Sequence, residues 1–363
     1  MSLLFYYFEM IIFIFILNPI QAYLTSSQLF NWKFVDTDLT AKRQDANANS
    51  LKNLQEKPTT LLSPEDESYL LKRYVFIMKT LYDKFTEPVL PCDVFGFAAH
   101  YLKRFYLNHS MMDFYPREMM LTCLYLACKA ADFPIGLKHF VSHIPRNQDR
   151  YSEFIANSEL FLIESLNYDT FIHSPYRPFK GLLIDLVAYQ QNKQNFAAQI
   201  NFGELRAEGN EIIHKWFQTD LCFLLHPSEY ALAALFELGK IHKDLEVEKF
   251  LREELCSCQP LKKTKSEPCK EQDIDMKEIT DSDSDENEDD ESEVKITPNE
   301  RWARIRKIID TVQEYLTDFE FVSDLSAQSE EEKILDQCRN PLYNPESVEY
   351  QEHKKKIEES FLD

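Results

Sequence analysis

Two groups of residues in this 363-residue chain are spaced closely enough to suggest chemistry, one of thiols and one of hydroxyls. Cys256, Cys258 and Cys269 lie close together, but zinc sites pair their ligands as C-x-x-C with histidine or further cysteine nearby, and no histidine flanks these three. A plain loop accounts for them better than a metal. The remaining cysteines are sparse, and Cys123 and Cys128 sit in apolar helical stretches, which points to buried free thiols in a reducing compartment. Thr280-Asp281-Ser282-Asp283 and Ser282-Asp283-Ser284-Asp285 each place an acid three residues after a hydroxyl. That spacing suits phosphorylation at Ser282 by an acidophilic kinase, and it reads equally as a solvated spacer. No glycine-rich phosphate loop, HExxH, GxSxG, HRD or DFG set is found, so an enzyme reading has little support.

The formal charge is −21, which disfavours unaided binding to nucleic acid. Much of the excess sits between Glu271 and Glu293, where 13 acidic side chains face a single lysine.

The elements that must position any functional residue are helices. Six glycines are too few for folds that depend on positive φ, and the apolar residues recur at helical spacing. A repeated start signal combines a cap, a proline and an acid. It appears at Ser63-Pro64-Glu65-Asp66, Leu90-Pro91-Cys92-Asp93 and Tyr115-Pro116-Arg117-Glu118. The helix opened by Pro116 is apolar nearly all round and should be the buried centre of a bundle. Further apolar stretches at Phe140 to Ile144 and about Tyr151 to Leu166 complete five helices. Phe95, Phe97, Tyr101, Phe105 and Tyr106 fit core better than interface. Pro175 and Pro178 then suggest a stiff connection.

Pro116-Arg117-Glu118 with Leu121, Leu124 and Lys129 is matched in phase by Pro227-Ser228-Glu229 with Leu232, Leu235 and Lys240. This predicts two copies of a five-helix unit. The polar stretch from about Cys256 to Asn299 is predicted to be disordered, and a helix carrying Trp302, Ile305, Ile309 and Val312 should pack back onto the body. From about Asn340 the chain should fray.

These residues resemble the cyclin family, whose members carry tandem cyclin boxes. The resemblance rests on Tyr101-Leu102-Lys103-Arg104-Phe105-Tyr106-Leu107-Asn108, Leu126-Ala127-Cys128-Lys129, Leu166-Asn167, and Pro175-Tyr176-Arg177-Pro178-Phe179. It continues in Thr219-Asp220, Pro227-Ser228 and Ala231-Leu232 of the second unit, and in Ser26-Ser27-Gln28, Trp32 and Asp45-Ala46-Asn47 before the first. It implies an all-α chain with an N-terminal helix and linker at 23–62, a first cyclin box at 63–172 and a second at 173–255. An acidic insert at 256–299, a C-terminal helical segment at 300–340 and a polar tail at 341–363 follow. Residues 1–22 form an apolar leader outside everything the family accounts for. A mis-assigned start is preferred there over a targeting segment or a buried helix, because the family leaves the stretch unaccounted for and no basic n-region or clean cleavage site is present.

The resemblance is to the branch of the family that serves the CDK-activating kinase. It implies a non-catalytic nuclear subunit that binds and activates a cyclin-dependent kinase, together with a RING-finger assembly factor and within TFIIH. The substrates implied are activation loops of other such kinases and the tail of RNA polymerase II. It implies no cofactor of its own, no direct nucleic acid and no membrane; ATP and magnesium belong to the kinase. Cyclins hold the kinase backbone with a lysine at the end of the third box helix and a glutamate in the fifth, and the matching positions are Lys129 and Glu159. The pair offers donors and acceptors together. Ala130-Ala131-Asp132 departs from the family, which often has a nearby glutamate there. The arginine-containing hydrophobic patch of cell-cycle cyclins is not recognisable around Leu70 to Met78, so substrate docking of that kind is not implied. The competing reading is a TFIIB-like cyclin-fold transcription factor that works on nucleic acid.

Overall fold

The computed structural model describes residues 23–53, 61–192, 201–256, 297–344, 347–352 and 355, and these are all-α, without a strand among them. The apolar leader, Cys258, Cys269 and the acidic run with Ser282 lie outside the described residues.

Two short N-terminal elements, α1 (Ser27–Trp32) and α2 (Asp36–Asn53), precede a first bundle of five helices: α3 (Pro64–Tyr82), α4 (Cys92–Phe105), α5 (Pro116–Ala130), α6 (Leu137–Ser142) and α7 (Gln148–Ser165). Local chemistry explains the starts. Ser63 accepts from the Asp66 amide at 3.1 Å while the Asp66 carboxylate accepts from the Ser63 amide at 2.9 Å, which satisfies two donors the first turn leaves open. Pro116 occupies the first turn of α5, where its missing N–H costs nothing. At α4 the expectation shifts by one residue, for Pro91 is itself the cap, with ψ 147, and the helix begins at Cys92. α5 is the bundle's buried centre as its all-round apolarity predicts, and Met119 to Cys128 are all buried.

The second bundle comprises α8 (Tyr176–Asn192), α9 (Phe202–Trp216), α10 (Leu221–Leu224), α11 (Pro227–Ile241) and α12 (Val247–Phe250). Pro178 does not interrupt the chain; it falls in the first turn of α8, before any intrahelical N–H is required. α11 repeats the design of α5, with proline at the start and a Glu229 carboxylate accepting from the His226 amide at 2.8 Å. α8 and α9 approach closely enough that a Cβ at Gly209 would sit 1.9 Å from the Phe179 ring, so only glycine fits there.

The bundles meet through aromatic rings, Phe95 of α4 lying 4.8 Å from His214 and 5.8 Å from Phe217. α13 (Pro298–Thr317) packs on α11 and buries Ile305, Ile309 and Val312 as predicted. The chain then returns across both bundles as a strap. Gln218 and Val322 exchange two hydrogen bonds, at 3.2 and 2.8 Å. Arg73 donates to the carbonyls of Asp324 and Ala327 and lies 3.2 Å from Glu332 of α14 (Glu330–Cys338). The expected fraying from Asn340 is not seen at that residue. Asn340 is buried, its amide donating to the Met112 carbonyl at 2.8 Å and its side chain to Asp113 at 2.7 Å.

Among the described residues no helix is long and apolar enough to cross a membrane. Cys92, Cys123, Cys128, Cys222, Cys256 and Cys338 are free thiols. Phe95, Phe97, Tyr101, Phe105 and Tyr106 are all core.

Candidate functional site

Lys129 stands in the last turn of α5, where a cation complements the helix dipole. Glu159 projects from α7, 30 residues on. Their helices run side by side in the same sense. Near the starts, buried Glu118 pairs with Arg150 of α7 at 2.7 Å and with Arg339 of the strap at 3.0 Å. Further along, the Lys129 ammonium lies 2.7 Å from both Glu159 oxygens and 4.7 Å above the Tyr125 ring. The structure thus brings the two sequence-identified residues together. The lysine side chain is 44% exposed and the glutamate 20%, so the pair meets solvent with donor and acceptor capacity left over.

The neighbours of Glu159 depart from the pattern reading. Leu160 and Phe161 fall in the apolar stretch read at about Tyr151 to Leu166, yet Leu160 is 70% exposed and Phe161 lies partly open, stacked 5.1 Å from Phe114. Helical periodicity reports which residues shun water, not whether this chain or another covers them.

Past α7 the backbone turns sharply. Asn167 and Tyr168 both adopt positive φ, 53 and 62, a conformation unfavourable for a residue with a Cβ and sustained only by its surroundings. Those surroundings are specific. The Asp169 carboxylate accepts from the Asn31 side chain at 3.0 Å and from the Trp32 indole at 2.8 Å, so α1 holds the turn from behind. Arg104, buried and 4.6 Å from the Trp32 ring, donates to the Asp169 carbonyl at 2.8 Å, and the Tyr101 hydroxyl donates to the Thr170 carbonyl. Burial pushes the Asp169 carboxyl up, but hydrogen bonds from Asn31, Ser27 and Trp32 and the charge of Arg104 outweigh it and hold the group below its ordinary range. The turn leaves Tyr168 and Phe171 facing solvent. Sequence reasoning quoted Leu166-Asn167 and Trp32 without seeing this turn; the signal available was an Asn-Tyr-Asp run directly after a helix.

A second cluster, also missed, joins the bundles internally. Asp220, capping α10, receives a bidentate Arg43 from α2 at 2.7 and 2.8 Å and the Lys103 ammonium from α4 at 3.0 Å. Lys103, fully buried, also donates to the Thr219 carbonyl at 2.7 Å. Burial would raise the Asp220 carboxyl, but the two cations override it and hold it well below the usual range. One carboxylate therefore ties the N-terminal helix, the first bundle and the second. No group of three or more histidine, cysteine or acidic side chains among the described residues has the arrangement of a metal site.

With that geometry in hand, the comparisons with known proteins are specific. Residues 65–170 match the cyclin N-terminal domain and residues 174–315 the cyclin C-terminal domain. The chain is 44% identical to a probable cyclin-H of Echinococcus multilocularis over 94% of its own length and all of the relative's. It is 34% identical to cyclin-H of Xenopus laevis, covering 64% of this chain and 72% of that one. In fold it is similar to a chain of the CAK complex of Chaetomium thermophilum bound to ATP-gamma-S, with a TM-score of 0.64 and 19% identity over 94% of this chain and 96% of that one.

Proposed function

The chain belongs to the cyclin family, on its cyclin-H branch, and from that premise we propose that it binds and activates a cyclin-dependent kinase as the regulatory subunit of the CDK-activating kinase. The observation that carries this reading is the solvent-facing Lys129–Glu159 pair, beside exposed Leu160 and followed by the held turn with Tyr168 and Phe171. Exposed apolar side chains around an open donor–acceptor pair make a surface suited to a protein backbone, because the apolar groups exclude water while the charges satisfy amides and carbonyls.

The chain supplies no reacting group in this reading. It stabilises the kinase conformation in which the regulatory helix completes its own Lys–Glu pair and the activation segment opens, a population shift driven by interface energy. ATP and magnesium stay with the kinase subunit. A RING-finger assembly factor, residence in TFIIH and a nuclear location follow from the branch and are part of the proposal. The TFIIB-like alternative draws no support from likenesses that run to cyclin-H along the chain.

The test is co-purification of the full chain with the candidate catalytic subunit, followed by activity on a kinase activation-loop substrate. Activation should collapse in the Lys129→Ala, Glu159→Ala double variant. Activation undiminished by that change would remove the site while leaving the family intact.

A further inference from the structure

A groove of about 770 Å³ opens on the first bundle between α3, α5, the α6–α7 connection and the strap. The volume lies within the range that holds bound groups. Ile77, Met120 and Ile144 supply apolar wall, and its rim carries Lys84, Arg117 and Arg146. All three cations are exposed, and none forms an ion pair with a carboxylate among the described residues. The single acid lining the groove, Glu332, is already committed to Arg73 at 3.2 Å. On a chain of net charge −21, three cations without a carboxylate partner among the described residues, set around an apolar trough, mark a place for negative charge.

We propose that this groove docks the chain's own acidic run, residues 271–293. The run offers the complementary composition, 13 acids against one lysine, and within it Ile274, Met276 and Ile279 alternate with Asp273, Asp275 and Glu278. Apolar anchors flanked by carboxylates match an apolar wall flanked by cations. Reach permits it. Met276 stands about 20 residues from both Cys256 and Thr297, arms of roughly 65 Å when extended, against a body roughly 50 Å across. Phosphate on Ser282 would add negative charge to the docked segment and strengthen the contact.

The test is zero-length carbodiimide cross-linking of the full chain, which joins an ammonium to a carboxylate only when they touch, with peptide mapping by mass spectrometry. Lys84 should link to a carboxylate of residues 271–293 within one chain. The yield should fall about fivefold or more on going from ~50 mM to ~0.5 M salt, and likewise in the Arg117→Glu, Arg146→Glu variant, which keeps Lys84 as reporter. In parallel, tryptic cleavage after Lys277 should be several-fold faster in that variant than in the parent chain. Links found only between two chains would overturn the proposal in favour of a second copy as occupant. Absence of any link, or a link and a cleavage rate both indifferent to the two arginine changes, would overturn it outright.

Discussion

Lys129–Glu159 and Lys103–Asp220 are both lysine–carboxylate pairs between elements far apart in sequence, at 2.7 and 3.0 Å, yet their surroundings assign them opposite work. The first lies open to water, where such a pair contributes about 0–1 kcal/mol, so holding the fold is no reason for it to be there. The second is sunk between the bundles, where either charge left alone would be expensive. The outer pair keeps capacity for a partner, whereas the inner one has none to spare: Asp220 already serves Arg43, and Lys103 already serves the Thr219 carbonyl. Solvent exposure, more than distance, is what separates the two pairs, and it leaves only the outer one able to serve a partner in the proposed reading.

The comparison breaks first at Asp220, where the largest effect is expected. Asp220→Ala strands two cations and should lower unfolding free energy by about 3–5 kcal/mol in chemical denaturation. A loss below about 1 kcal/mol would mean that the cluster is no lock. The pH dependence has a definite sign. Because the folded carboxyl is held below its ordinary value, its stabilisation is present above pH 4 and is lost as pH falls through the folded value. The acid limb of the stability profile should therefore be shallower in the variant.

Glu67 sharpens the contrast, since it is buried and no cation among the described residues pairs with it. Its carboxylate accepts from the Ser110 hydroxyl and, at 3.0 Å, from the Met111 amide. Burial is the main cause that pushes it up to about 7, against the opposing hydrogen bonds. The rise from the ordinary 4.5 corresponds to up to ~3 kcal/mol. Here the folded state binds the extra proton, so stability should fall as pH rises from about 4.5 through 7 and then level off. Glu67→Gln should flatten that decline, stabilising the chain at pH 8 more than at pH 5. Thermal melts across that range would show it, and parallel profiles for the two proteins would refute it.

Much of this architecture was legible before any coordinates. The centrality of α5, its echo in α11 and the cap at Ser63 follow from side chains within one turn or one helix of each other. The Asp220 cluster was not legible. It gathers residues 43, 103 and 220 from three elements, and no local spacing encodes that meeting. Leu160 shows a related limit: it lies in a stretch legible as an apolar helix, but no local spacing says whether such a side chain is covered by the chain's own core. Asn340 was read as the start of a fraying tail because its composition is polar, whereas two hydrogen bonds from the first bundle bury it. The Lys129–Glu159 pairing came from family resemblance; its cross-helix geometry came only with the fold.

At the outer pair itself the two readouts should separate. Lys129→Ala should change stability by no more than about 1 kcal/mol while weakening kinase binding by about tenfold or more, the behaviour of an interface anchor. Equal and small effects on both would return the pair to the ordinary surface.

The smallest effect is expected at Lys240, which holds the position of Lys129 in the second copy of the repeat. Its ammonium meets Glu237, three residues back on its own helix, at 2.9 Å, and among the described residues reaches no other element's carboxylate. A pair within one helix surface stabilises by a few tenths of a kcal/mol and presents no clasp built from two elements. Lys240→Ala should leave both stability and kinase activation near the parent values, measured in the same assays as Lys129→Ala. If Lys240→Ala instead matched Lys129→Ala in weakening the kinase complex, the repeat would carry two equivalent contact sites, and the asymmetry between the bundles would have to be sought elsewhere than in what each lysine touches.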